Sequence, residues 1–282
     1  MPLNRACIGK QYPSIVTDAT LEAMQNYARA YNDDNPAFFD PSWPGGIVAP
    51  PMYAVVVTWP SVMAAMGDSE LNVDLIRLLH GEQDMEFLGA IRPGDRITSA
   101  AQVASIETRA TGETMVLELN AHNQRGEHVQ RTFFNAFIRG GGRRGAIEKR
   151  EQEPERGEPL FAVAQTIDRD QTYRYRDASG DINPIHVDES FAKMAGLPGI
   201  IVHGLCTMAF TSKVMIDRLC GGDPLKLKRL RVRFTRPVFP GQTITTRVWP
   251  DGERNGRKVY AYETVNPDGQ AVIRGGIAEV QS

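Results

Sequence analysis

Apolar positions recur along this chain with two different periods, and the changes between them mark out the elements. Leu205, Met208, Ala209, Ser212, Met215, Ile216 and Leu219 are spaced by three and four, which predicts a helix with one buried face. Gly221-Gly222 supplies its C-terminal stop. A comparable apolar stretch runs from Met52 to Met66, where Trp59-Pro60 should break or kink a helix because proline has no N–H to give. Behind each helical stretch the period shortens toward two. Strands are expected at about 82–88, 95–108, 113–123 and 127–139, and again at about 226–236, 243–249, 258–266 and 270–280. Asn123-Gln124-Arg125-Gly126 and Asn266-Pro267-Asp268-Gly269 read as hairpin turns between the last two strands of each set. One long helix and a mostly antiparallel sheet per half make the class α+β.

The two halves also match in detail. Asp33-Asp34-Asn35-Pro36-Ala37-Phe38-Phe39-Asp40 aligns with Asp181-Ile182-Asn183-Pro184-Ile185-His186-Val187-Asp188 at an offset of 148, with four of eight positions identical. Gly46 to Pro51 aligns with Gly199 to Gly204, and Arg92-Pro93-Gly94-Asp95 with Phe239-Pro240-Gly241-Gln242. Three matches in the same order imply two copies of one fold. Between them, Arg139 to Pro159 is rich in glycine, charge and proline and has almost nothing apolar to bury. The expected division is 1–139, a linker at 140–159, and 160–282.

Composition narrows the classes of function. The 282 residues can bury a sizeable core, and 41% are hydrophobic against 23% charged. Thirty-two basic and 34 acidic residues nearly cancel, which argues against a nucleic-acid partner held by bulk charge. No apolar run approaches the roughly 20 residues of a membrane span, and Met1 to Tyr12 has no apolar signal core. Three cysteines (Cys7, Cys206, Cys220) are too few for a disulfide framework. A cytoplasmic chain without membrane partners is expected.

The candidate chemistry lies in the second copy. Asp181 and His186 flank Asn183-Pro184, and a proline-centred turn can bring a carboxylate and an imidazole into one small volume. Together they can activate a water and return a proton. An Asx turn with a loop histidine is the plainer reading. Gly204 opens the apolar-faced helix, where an unpaired N–H at the positive end of the dipole suits an oxyanion; close packing is the alternative. Ser212 sits on the buried face, so its hydroxyl must bond back to the carbonyl four residues earlier or orient a carboxylate.

The run Gly180-Asp181-x-Asn183-Pro184-x-His186-x-Asp188, followed by Ala192, Ile201 and His203-Gly204, resembles the signature of the MaoC-like, R-specific enoyl-CoA hydratase (hydratase 2) family. The resemblance implies a double hot-dog fold, each copy a long central helix wrapped by an antiparallel sheet. It also implies reversible hydration of a trans-2-enoyl thioester to a (3R)-3-hydroxyacyl thioester. Asp181 and His186 would then activate the water, Gly204 would hold the thioester oxygen, and Ser212 would bond the Asp181 carboxylate. Asn183 would shape the turn, with His203 in support. An acyl thioester of coenzyme A or of an acyl carrier protein would be the partner, and relatives of this kind often form homodimers. No cofactor and no metal is expected, since no Cys/His cluster has zinc spacing and no Walker-type loop occurs.

In the first copy Phe38 stands where the histidine would be, and Pro50-Pro51 stand in place of His203-Gly204. That half should be non-catalytic, completing the sheet and shaping the acyl pocket. His80-Gly81-Glu82-Gln83 carries no assigned chemistry, with His80 read as a loop residue. Lys226, Lys228, Arg229, Arg231, Arg233 and Arg236 form a basic cluster. It is either a solvated strand face or, through Arg231 and Arg233, a site for coenzyme A phosphates. Two rival functions remain: a hot-dog acyl-CoA thioesterase, for which Asp217 is the sole acid in the helix, and a non-catalytic acyl-thioester binding protein.

Overall fold

A computed structural model describes residues 2–140 and 156–281. Most of the expected linker at 140–159 therefore lies outside the described residues. The first copy holds β1 (Ile15–Ala19), α1 (Leu21–Ala30), α2 (Ala54–Met66), β2 (Leu78–Phe87), β3 (Asp95–Thr108), β4 (Gly112–His122) and β5 (His128–Arg139). The second holds β6 (Phe161–Thr166), α3 (Gln171–Ser179), α4 (Glu189–Met194), α5 (Gly204–Leu219), β7 (Leu227–Phe234), β8 (Thr243–Arg254), β9 (Arg257–Val265) and β10 (Ala271–Gln281).

All ten strands form one antiparallel sheet in the order β1-β3-β4-β5-β2-β7-β10-β9-β8-β6. Outward from the central β2–β7 pair, the two halves have the same order, so the copies are related by a pseudo-two-fold axis. Inward positions alternate along each strand, as in β3, where Ile97, Ser99, Ala101 and Val103 are buried. They pack on α2 and α5, which are buried around most of their circumference. This is the double hot-dog, α+β arrangement.

Two expectations need correction. Helix α2 runs unbroken through Pro60. Proline withholds only the N–H that would meet the Val56 carbonyl, and the burial of Val55, Val57, Val62 and Ala65 holds the remaining turns. His80 is not a loop residue but lies within β2.

The basic cluster also finds its setting at the seam. Along the β2–β7 register Glu82 lies opposite Arg233, Asp84 opposite Arg231 and Glu86 opposite Arg229. Arg229 forks onto Asp84 at 2.6 and 2.8 Å and reaches Glu279 at 3.0 Å, while Arg231 pairs with Glu82 at 3.1 Å. The alternating arginines of one copy thus meet the alternating acids of the other. That pairing favours the strand-face reading of Arg231 and Arg233 over phosphate binding.

Candidate active site

The site begins where α3 ends. Gly180 caps that helix at φ +77°, a left-handed conformation that costs a residue with a Cβ, and its N–H bonds the Arg176 carbonyl at 3.0 Å. The reversal leaves Asp181 at the start of a tight loop. Its carboxylate accepts from the Asn183 N–H at 3.2 Å, and the Asn183 side chain accepts from the Ile185 N–H at 3.3 Å. Pro184 then opens a single 3-10 turn, Pro184–His186. Two nested Asx bonds compact the loop and bring Asp181 beside His186. Asn183 does shape this turn, and its side-chain oxygen is engaged in it.

His186 is 7% exposed, and its Nδ1 lies 2.8 Å from the Ile201 carbonyl. A carbonyl can only accept, so Nδ1 carries the hydrogen and Nε2 presents a lone pair. His203, immediately before α5, stacks on His186 with centroids 3.8 Å apart and ring planes at 26°. Its Nε2–H donates to the Asp181 carbonyl at 3.1 Å by the same reasoning. One polar side-chain atom from each of Asp181, His186 and His203 falls within 4.8 Å of the others. A single water with two hydrogen bonds of about 2.8 Å can span such a gap. Metal ligation fits less well. Ring planes only 26° apart do not converge at the roughly 2.1 Å that imidazole nitrogens need around zinc.

Burial sets the protonation states. It pushes the Asp181 carboxyl up, against the pull of His186, and pushes His186 down, against the pull of Asp181. His203 is driven down to about 2, by burial first and by His186 next. Both imidazoles are therefore neutral near pH 7, which leaves the His186 lone pair ready to take a proton.

Gly204 is the first residue of α5, so its N–H has no partner within the helix and lies at the positive end of the dipole. Packing is also close here, since a Cβ would stand 3.2 Å from the Phe234 ring at the end of β7. Phe234 in turn lies edge-on to His80 at 5.0 Å, and His80 lies against Phe134 at 4.2 Å with the rings tilted by 30°. Burial holds His80 down to about 4, with Nε2 3.0 Å from the Gln83 side-chain oxygen. Nothing in the hydropathy pattern marks Phe234 as part of the site.

Ser212 departs from expectation. It is fully buried, and its Oγ has no hydrogen-bond partner among the described residues, neither the Asp181 carboxylate nor the carbonyl four residues back. The Asp181 carboxylate is instead turned onto the backbone of its own loop.

Residues 150–270 match the MaoC like domain family, and residues 6–132 match the FAS1-like dehydratase domain region. A probable enoyl-CoA hydratase 2 from Dictyostelium discoideum is 32% identical over 220 residues, covering 76% of this chain and 74% of that protein. The chain belongs to the MaoC-like hydratase 2 family. A second relative, 3-hydroxyacyl-thioester dehydratase Y of Mycobacterium tuberculosis, is 32% identical over 227 residues, covering 78% and 76% of the two chains. The crystal structure of a MaoC-like dehydratase from Phytophthora capsici superposes with a TM-score of 0.83 at 26% identity, over 99% of this chain and 98% of that one.

Within this MaoC-like chain the first copy keeps the loop without its imidazole. Asp33 and Asn35 repeat the nested Asx bonds at 3.1 and 2.9 Å, but Phe38 takes the imidazole position and Pro51 opens the turn leading into α2. The retained acid has found another contact. Asp33, with its side chain 1% exposed, lies 3.4 Å from Lys213 of α5, and the Asn35 amide donates to the Gly222 carbonyl at 2.8 Å. Asp217, the acid a thioesterase reading would need, pairs with the same lysine at 3.3 Å.

Proposed function

We propose that this chain is a hydro-lyase that adds water reversibly across the C2=C3 bond of a trans-2-enoyl thioester, carried on coenzyme A, to give the (3R)-3-hydroxyacyl thioester. The observation that carries this reading is the half-buried Asp181 beside the buried His186, with His203 stacked on that imidazole immediately before Gly204, whose N–H has no partner within its helix. The water oxygen bonds to C3 while its proton passes to the lone pair on His186 Nε2. The C2=C3 electrons move onto the thioester oxygen, where the Gly204 N–H and the helix dipole meet the new charge. A preorganised donor of this kind contributes about 2.7–4 kcal/mol. A proton returned by the Asp181–His186 pair to C2 completes the addition, so the catalyst is regenerated. The raised carboxyl of Asp181 and the lowered imidazole of His186 suit a pair that exchanges one proton.

The first copy has neither an imidazole nor an oxyanion N–H at the matching positions. Its part is half of the sheet and, through His80 and Phe134 behind Phe234, a wall for the acyl chain. The three cysteines are free and buried, which fits a reducing compartment, and we place the chain in the cytoplasm on that basis. No described helix is long and apolar enough to cross a membrane. Association into a homodimer is also expected, and a single-chain mass at micromolar concentration counts against it.

Mixing the protein with crotonyl-CoA tests the reaction. Loss of the enoyl absorbance with formation of the R alcohol is the expected result. Release of free thiol would instead make the chain a thioesterase, and neither change would leave it a binding protein.

A further inference from the structure

A cavity lies in the first copy at the positions that the pseudo-two-fold axis relates to the active site. It encloses about 170 Å³ and is lined by Pro50, Pro51, Ala54, Phe87, Gln130 and Lys228, among others. Its walls are the counterparts of the thioester site. Pro50-Pro51 align with His203-Gly204, and Phe87 ends β2 as Phe234 ends β7. Register extends the match, since Phe87 pairs with Gln130 on β5 where Phe234 pairs with Ile273 on β10. An apolar residue of the catalytic copy is therefore a carboxamide in the other.

That carboxamide is unsatisfied. Gln130 is 1% exposed, and neither its Oε1 nor its Nε2 has a partner among the described residues; Thr132, the next inward residue on β5, is also buried with Oγ1 unpartnered. Buried polar atoms without partners are rare in folded proteins because each costs about 1–3 kcal/mol. Of the two, Gln130 lines the cavity, on a strand face that elsewhere carries Phe134, Ala136 and Ile138.

We propose that this cavity is a second, non-catalytic binding site for a phosphopantetheine arm, with an amide of the arm on Gln130 and the phosphate at Lys228. The assignment rests on the proposed function only in taking a pantetheine thioester as the substrate. A secondary amide offers one N–H and one C=O, which answers the acceptor and the donors of Gln130 together. A simple carboxylate would leave Oε1 without a donor. The apolar walls take the geminal methyl groups, and Lys228 at the edge supplies a cation for the phosphate. With Phe38 and Pro51 in place of the imidazole and the N–H, a bound arm is held without reaction. Since Lys228 belongs to the second copy and Gln130 to the first, the ligand spans both.

Calorimetric titration of the full chain with free coenzyme A reads the stoichiometry. Two molecules per chain are expected for the wild type, and one for Gln130→Leu with kcat on crotonyl-CoA within twofold. Lys228→Ala, at the cavity edge, should fold normally and weaken the second site about tenfold toward pantetheine 4′-phosphate but not toward pantetheine. Holo acyl carrier protein in place of coenzyme A separates a carrier-bound arm from a free one, and binding of either to the second site upholds the proposal. One molecule per chain in the wild type and both variants, with hydration intact, overturns it and leaves the proposed function standing. One site per chain in the wild type, together with an altered chain-length preference in Gln130→Leu, assigns the cavity to the substrate tail and also overturns it. Two sites without hydration would uphold the second site and sink the enzyme reading alone.

Discussion

Tyr27 and Tyr175 lie 148 positions apart in the chain and meet hydroxyl to hydroxyl at 2.9 Å, with ring centroids 5.6 Å apart. They are the same position in the two copies, one on α1 and one on α3, facing each other across the axis. Burial pushes both phenols well up, so each is a neutral hydroxyl whose partner is its own counterpart. Tyr27→Phe strands the Tyr175 hydroxyl in the core and should cost about 1–3 kcal/mol in urea unfolding. The double Phe variant should be closer to wild type than the sum of the single changes, because nothing polar is left unpaired. Additive losses would show that the hydroxyls do not depend on each other.

The Asp181–His186 pair should behave as a unit. Asp181→Asn and His186→Ala are each expected to lower kcat for enoyl-CoA hydration by about 10²–10⁴-fold, with the double variant little worse. Near-wild-type turnover in either folded variant would sink the mechanism. Phe38→Ala, at the position matching His186, is expected to lower the melting temperature and to keep the rate.

Gly204 separates packing from charge stabilisation. Gly204→Ala puts a methyl group 3.2 Å from the Phe234 ring, which must shift by a few tenths of an ångström. Gly204→Pro also removes the N–H, yet proline is tolerated as a first helical residue. We expect a modest fall in kcat for alanine and a fall of about 10²–10³-fold for proline. Equal effects from the two would mean that the N–H is not the oxyanion donor.

Acid should weaken the fold through His203. Its folded value near 2 lies far below the ordinary 6.5, so above pH 6.5 neither state takes a proton. Below that, the unfolded chain binds a proton that the folded chain refuses, and stability is lost as pH falls. At pH 5 the loss comes to about 2 kcal/mol. His80, held near 4, adds a loss of the same sign. The melting temperature should therefore drop between pH 7 and 5, and His203→Gln should flatten that slope. An unchanged slope would remove His203 as its source.

Strong, long periodic segments are the legible part of the sequence. The strand expected at 95–108 is β3, and the face from Leu205 to Leu219 is that of α5. The edge strands β1 and β6 are only five and six residues long, and apart from Ala19 none of their residues is fully buried. Helix α1 is short, and its signals are local ones: Thr20 caps it through the Ala23 N–H, and Met24, Tyr27 and Ala28 form its buried stripe. In the site, the spacing of Asp181, Asn183 and His186 is enough to place a carboxylate near an imidazole, since local Asx bonds build that loop. The stacking of His203 on His186, the acids facing Arg229 and Arg231, and the Asp33–Lys213 contact join residues far apart in the chain. Hydropathy carries no record of such meetings.

The β2–β7 seam has a consequence for what this site can become. In a dimer of identical subunits, any change at one half-site is repeated at the other, so replacing an imidazole by a phenyl ring would empty both. Here the seam joins two halves of a single polypeptide, and each is spelled by its own codons. Phe38 and His186, or Pro51 and Gly204, can therefore occupy mirrored places on a symmetrical sheet. One half is free to drift in sequence while the other stays bound to its chemistry.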